Sequence, residues 1–208
     1  MLKRLLAALM LVFVAVSPIS AWEEPKAPDE KADKTVREVL YEGQTDLDMV
    51  HAVRSDLQYI RDNKEIKTLR ITLVSPGGPA LTAFEIARLL NRASERGLVV
   101  EIHATALCAS GCTFVLAAGT PGRRFITKET LFFVHPMQDQ SGCVKYTKDP
   151  KTDDEKIKNT LLDMGRDAYM KYTKRPQKEV ESWLTCGNEQ AGGGDLAVKL
   201  NMADKVEP

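Results

Sequence analysis

The chain has 208 residues, 43% of them hydrophobic, and its 29 basic side chains balance 29 acidic ones. That length suits one domain with a sizeable core, and the balanced charge argues against a nucleic-acid binder, which needs a basic surface. Residues 1–21 read as an export signal: Lys3 and Arg4 give a positive start, Leu5 to Val16 an apolar core too short to span a bilayer, and Ala21 a small residue at the cleavage point. Loss of Lys3 and Arg4 leaves 27 basic against 29 acidic side chains, a net charge of −2. A periplasmic or secreted protein is expected, with no stable membrane span after cleavage. Residues 22–34 are rich in Glu, Lys, Asp and Pro without periodicity and read as a disordered lead-in to a domain over 35–208.

Thr35 to Gly43 reads as a first strand. Leu47, Val50, Val53, Leu57 and Ile60 then recur at helical spacing over Asp46–Asn63, with Thr45 or Asp46 as the N-cap. His51 falls in that helix as a surface or packing residue. Leu69–Val74 is a buried-type strand, Pro79–Arg96 a helix stopped by Gly97, and Leu98–Ala104 a strand in which His103 is read as structural. The alternation predicts an α/β fold with right-handed crossovers. Short strands at Arg123–Ile126 and Leu131–Val134 follow, then a polar loop over Gln138–Lys151 placed over the site. A charged helix spans Thr152–Thr173, and another starts after Pro176. Cys186–Glu189 is a turn, Gly192–Gly194 a flexible run, and Asp195–Leu200 a last helix.

Four cysteines after an export signal predict disulfides. Three pairings exist. Cys108 and Cys112 are one helical turn apart, within bridging range, which favours Cys108–Cys112 with Cys143–Cys186. With no Cys-x-x-Cys and three histidines, neither a metal nor a cofactor is expected.

The chemistry concentrates in Cys108–Pro136. Ser110 stands between Ala109 and Gly111 where a strand gives way to the apolar run Phe114–Ala118, and Leu131–Val134 delivers His135 25 residues later. A serine hydroxyl needs a base to take its proton, and histidine is the usual one. Upstream, Ser75-Pro76-Gly77-Gly78 follows a strand and can present bare N–H groups to an oxyanion. Ser-Pro-Gly-Gly, Ala-Ser-Gly, Ala-Ala-Gly-Thr-Pro-Gly-Arg-Arg-Phe (117–125) and His-Pro, in this order, resemble the proteolytic subunit of Clp protease. The resemblance runs over residues 36–206 and is dense over 71–136.

It implies a single domain of the crotonase-type ββα superhelix, a homo-oligomer, and serine peptidase activity. Ser110 would be the nucleophile, His135 the base, and the N–H groups of Gly78 and Gly111 the oxyanion hole. An aspartate near the end of the family's chain orients the histidine; here Glu189, or nearby Asn188, falls opposite it. Glu can orient and balance an imidazolium, whereas Asn can only orient. Outside the cytoplasm there is no ATP for an unfoldase, so short or unfolded peptides are the expected substrates. The alternative is a binding or assembly protein that kept the fold without the activity. Acyl-thioester chemistry on coenzyme A esters fits less well, because it has no need of the Ser–His pair.

Overall fold

The computed structural model describes residues 33–208. The export signal and nearly all of the lead-in lie outside the described residues. Asp33 closes a turn, its carboxylate accepting from the N–H and hydroxyl of Thr35 at 2.9 and 2.7 Å.

Strand β1 (Val36–Glu42) leads to helix α1 (Leu47–Asp62), β2 (Thr68–Ser75), α2 (Ala80–Glu95) and β3 (Val99–Ala109). The short α3 (Gly111–Ala117), β4 (Arg124–Thr127) and β5 (Leu131–Val134) follow. A hairpin of β6 (Gln138–Asp139) and β7 (Gly142–Cys143) precedes α4 (Asp153–Thr173), α5 (Gln177–Trp183), β8 (Gln190–Gly192), α6 (Gly194–Lys199) and β9 (Lys205–Glu207). The main sheet runs β1-β2-β3-β4-β9, all parallel. This is the mixed α/β architecture that the motifs implied. Among the described residues no helix is long and apolar enough to cross a membrane.

Leu69, Ile71 and Leu73 on β2, with Val100, Ile102 and Ala104 on β3, point into the core and are fully buried. Met49, Val50, Val53, Leu57 and Ile60 of α1, and Ile86 and Leu90 of α2, cover that face. The helical spacing from Val50 onward is therefore the buried stripe itself, whereas Leu47, expected in it, is exposed at the helix start and Met49 takes its place. Asp46 is the N-cap of α1, accepting from the N–H groups of Asp48 and Met49. His51 is exposed.

The opposite face carries charge. Glu38, Arg70 and Glu101 lie side by side across β1, β2 and β3. Arg70 bridges Glu38 and Glu101 at 2.6 and 2.5 Å. His103 completes the row, with Nδ1 2.9 Å from Glu207 and Nε2 3.1 Å from Glu101.

Strand β3 continues to Ala109, past the end at Ala104 that its alternation suggested. Its first half pairs with β4 and its second with β5, so one long strand serves two short ones. Ala106 (φ 58°) makes the bend between the halves. The glycine run is ordered rather than flexible. Gly192 pairs with Phe132, and a Cβ on Gly193 or Gly194 would lie 2.7 or 2.6 Å from the carbonyls of Lys128 or Thr127. Close backbone approach demands glycine there.

Behind the site, the buried Arg124 guanidinium donates to the Asp204 carboxylate at 2.5 Å and to the carbonyls of Ala117, Tyr172 and Asn201. It ties α3, α4 and the C-terminal turn together. Burial alone would push the Asp204 carboxyl up, but Arg124 and the N–H groups of Gly122 and Arg124 hold it below the usual carboxylate range.

Candidate active site

Ser110 stands between β3 and α3 with φ 54° and ψ −123°, a conformation that non-glycine residues avoid. Such strain costs on the order of 1–3 kcal/mol and gathers at functional sites. The surroundings hold the turn in place. Ser110 N–H donates to Phe133 O at 2.8 Å, and Ser110 O accepts from the Thr113 hydroxyl at 2.6 Å. The Thr113 hydroxyl in turn lies 2.5 Å from the Tyr169 hydroxyl. Burial pushes the Tyr169 phenol up, so it stays protonated and donates. A disulfide joins Cys108 and Cys112 on either side of the turn, Cα atoms 5.2 Å apart. The second bridge, Cys143–Cys186, is also as expected.

Gly77 makes the closest approach to the serine. Its φ is 92°, and a Cβ on it would fall 2.5 Å from Ser110 Cβ and 2.7 Å from Gly111 N. The N–H groups of Gly78 and Gly111 donate to no protein acceptor among the described residues. The N-terminal N–H groups of α3 are free for lack of a preceding turn.

Thr45, which the sequence offered only as an N-cap, governs this loop instead. Its N–H donates to Gly77 O at 2.9 Å. A trans peptide points its C=O and N–H in opposite directions, so holding Gly77 C=O aims Gly78 N–H the other way. The Thr45 carbonyl accepts from the Thr82 hydroxyl in the first turn of α2. Its side chain is fully buried and fills the space where a Cβ on Gly78 or Gly111 would stand, 2.9 and 2.6 Å from its Oγ1. That Oγ1 has no hydrogen-bond partner among the described residues.

His135 leaves the end of β5 half-buried. Its Nδ1 is 2.7 Å from Pro136 O. A carbonyl only accepts, so Nδ1 carries the hydrogen and Nε2 keeps its lone pair. Ser110, Gly78, Gly111 and His135 line one cavity of about 170 Å³, with Phe84, Phe114, Met137, Leu161 and Leu162 as apolar walls. Gly165 of α4 faces this wall, where a Cβ would stand 3.5 Å from the Phe84 ring.

No hydrogen bond or ion pair joins Glu189 or Asn188 to His135 among the described residues. The Glu189 carboxylate accepts from Gly187 N–H at 3.3 Å, and the Asn188 amide donates to Ser182 O. The antiparallel register of β5 and β8 ends at Val134↔Gln190, and His135 and Glu189 are the next residues of the two strands' continuations. The loop expected over the site forms the β6–β7 hairpin, with Met137 and Gln138 in the cavity wall. Asn159 of α4 holds it through both backbone groups of Thr147.

Nothing in the sequence marks Pro136 O, a main-chain atom, or Thr45, whose partners lie 30 and more residues away. A comparison with curated proteins finds no match. The Clp protease family model matches residues 31–206, all but the last two of the described residues, and the chain belongs to that family.

Proposed function

We propose that this protein is an exported serine peptidase that cleaves short or unfolded peptides through an acyl-enzyme, without an ATP-driven partner. The observation that carries the reading is the strained Ser110 turn, sharing one cavity with a histidine that has its Nε2 lone pair free. Ser110 Oγ attacks the scissile carbonyl while His135 Nε2 takes its proton. The oxyanion is received by the N–H groups of Gly78 and Gly111; losing one such donor typically costs about 10²–10³ in rate. His135 then protonates the leaving amine, and water attacks the acyl group by the reverse path. Pro136 O holds the ring in the working tautomer, and Glu189 supplies counter-charge to the imidazolium from across the strand pair. The cavity's apolar walls favour an apolar side chain next to the scissile bond. Export rests on residues 1–21, and assembly into a homo-oligomer on the family.

A fluorophosphonate probe tests the nucleophile. It is expected to label the wild-type protein and to leave Ser110→Ala unlabelled; equal labelling of both ends the reading.

One observation favours the non-catalytic alternative: Ser110 and His135 make no direct hydrogen bond among the described residues. Such bonds are commonly long in unliganded enzymes and tighten when substrate binds.

A further inference from the structure

Beside the Ser110 cavity lies a second one, of about 430 Å³. The two share Leu162 of α4 and Leu184 at the end of α5, so they adjoin across these side chains. Val144, Tyr146 and Cys186 complete the apolar lining of the second. Tyr146 stands 60% exposed, the mark of an apolar ring without a partner within the chain. The Cys143–Cys186 bridge frames this cavity, joining the hairpin after His135 to the turn before β8. Of the charged residues at the rim, Arg166 pairs with Asp163 and Asp167 at 2.7 and 2.9 Å, while Lys145 and Glu181 stand beside it. The surface between them is mainly apolar and calls for an apolar group rather than a charge.

We propose that this cavity is a second subsite, which takes a large apolar or aromatic side chain of the peptide bound at Ser110. The proposal rests on the peptidase reading for its occupant. It makes the disulfide a specificity element, fixing the far wall of the cavity as well as bracing the loop.

The test compares internally quenched peptides carrying Phe or Ser at each position around the scissile bond. The nitrophenyl ester of N-acetyl-leucine, which reaches only the Ser110 cavity, is the reference. At one position away from the scissile residue, Phe should raise kcat/KM about tenfold or more over Ser, as burial of such a side chain allows. Thr185→Trp, at an exposed lining position, should fill the cavity and abolish the preference, lowering the peptide-to-ester ratio of kcat/KM by the same factor. Tyr146→Ala should weaken the preference several-fold by removing the lip. Absence of an apolar preference at every such position, or its survival in Thr185→Trp, overturns the proposal. Anisotropy of the same labelled peptides on Ser110→Ala separates the two readings. Hydrolysis persisting in Ser110→Ala sinks the serine mechanism, whereas Phe and Ser peptides binding that variant equally sinks the subsite.

Discussion

His103 and His135 look alike in the sequence: each sits in or just after an apolar strand, and the only acidic residue within two positions of either is Glu101, before His103. Their surroundings differ in kind. His103 has a carboxylate on each ring nitrogen, Glu207 and Glu101, and stacks on Phe125 at 4.8 Å between ring centres. Both nitrogens are engaged by carboxylate oxygens, so neither is free to serve as a base, and the ring acts as a rivet between β3 and β9. His135 has one nitrogen on a neutral carbonyl, and the residue lines the cavity of Ser110. The carboxylates thus surround the histidine that lies outside the candidate site. A free Nε2 with its tautomer fixed marks a base better than a nearby acid does.

The sharpest way to break this contrast is to exchange the fates of the two rings. His135→Gln is expected to lower kcat by about 10⁴ or more, the scale of losing a member of a catalytic triad. His103→Gln should leave kcat within about twofold and lower the melting temperature by a few degrees, as loss of a charge-assisted pair does. Steady-state hydrolysis and thermal melting of both variants decide it; a large loss of activity in His103→Gln with intact folding would reverse the assignment.

Next in size is the oxyanion loop. Thr45→Ala removes the side chain packed against Gly78 and Gly111, and a displaced donor costs less than a lost one, so kcat should fall about tenfold with KM unchanged. Thr45→Val keeps the shape and removes an unpaired hydroxyl. It should retain wild-type kcat and melt higher, because a buried unsatisfied group costs about 1–3 kcal/mol. Equal losses in both variants would place the function in the hydroxyl instead.

Glu189→Gln is expected to lower kcat only about fivefold. An exposed charge at this range is worth about 1 kcal/mol, and Pro136 O rather than a carboxylate holds Nδ1. Asn188→Ala should change less. A fall of about 10⁴ in Glu189→Gln would instead mean that its carboxylate turns onto His135 during turnover.

The smallest effect expected is that of acid on the charged face. Burial acts to raise the Glu101 carboxyl, but Arg70 and His103 outweigh it and hold it below the usual carboxylate value. The stability it contributes is therefore complete above the unfolded value of about 4.3 and is lost as pH falls through the lower folded value. Melting in Glu101→Gln should accordingly lose part of the acid sensitivity of the wild type over that range. An unchanged profile would show that other carboxylates carry the acid response.

The sequence by itself determined the helices and the family, favoured the disulfide pairing that the structure shows, and set Ser110 at a strand–helix junction while ending that strand short, at Ala104. These depend on spacing along the chain: apolar residues every three or four positions, cysteines one turn apart, glycines beside a serine. Ser110, His135, Gly78 and Gly111 were legible for the same reason, and the fold brings them to one cavity. Only the tertiary structure decided what orients them. Thr45 reaches the oxyanion loop through backbone groups, and Pro136 fixes the tautomer with a carbonyl that every residue possesses. The partners of His103 sit on the same strand and 104 residues away. The glycine run, read as flexible, proved to be packed, because its composition cannot tell backbone freedom from the need for close approach. Main-chain groups have no sequence signature, and distant partners meet only when the sheet sets their register.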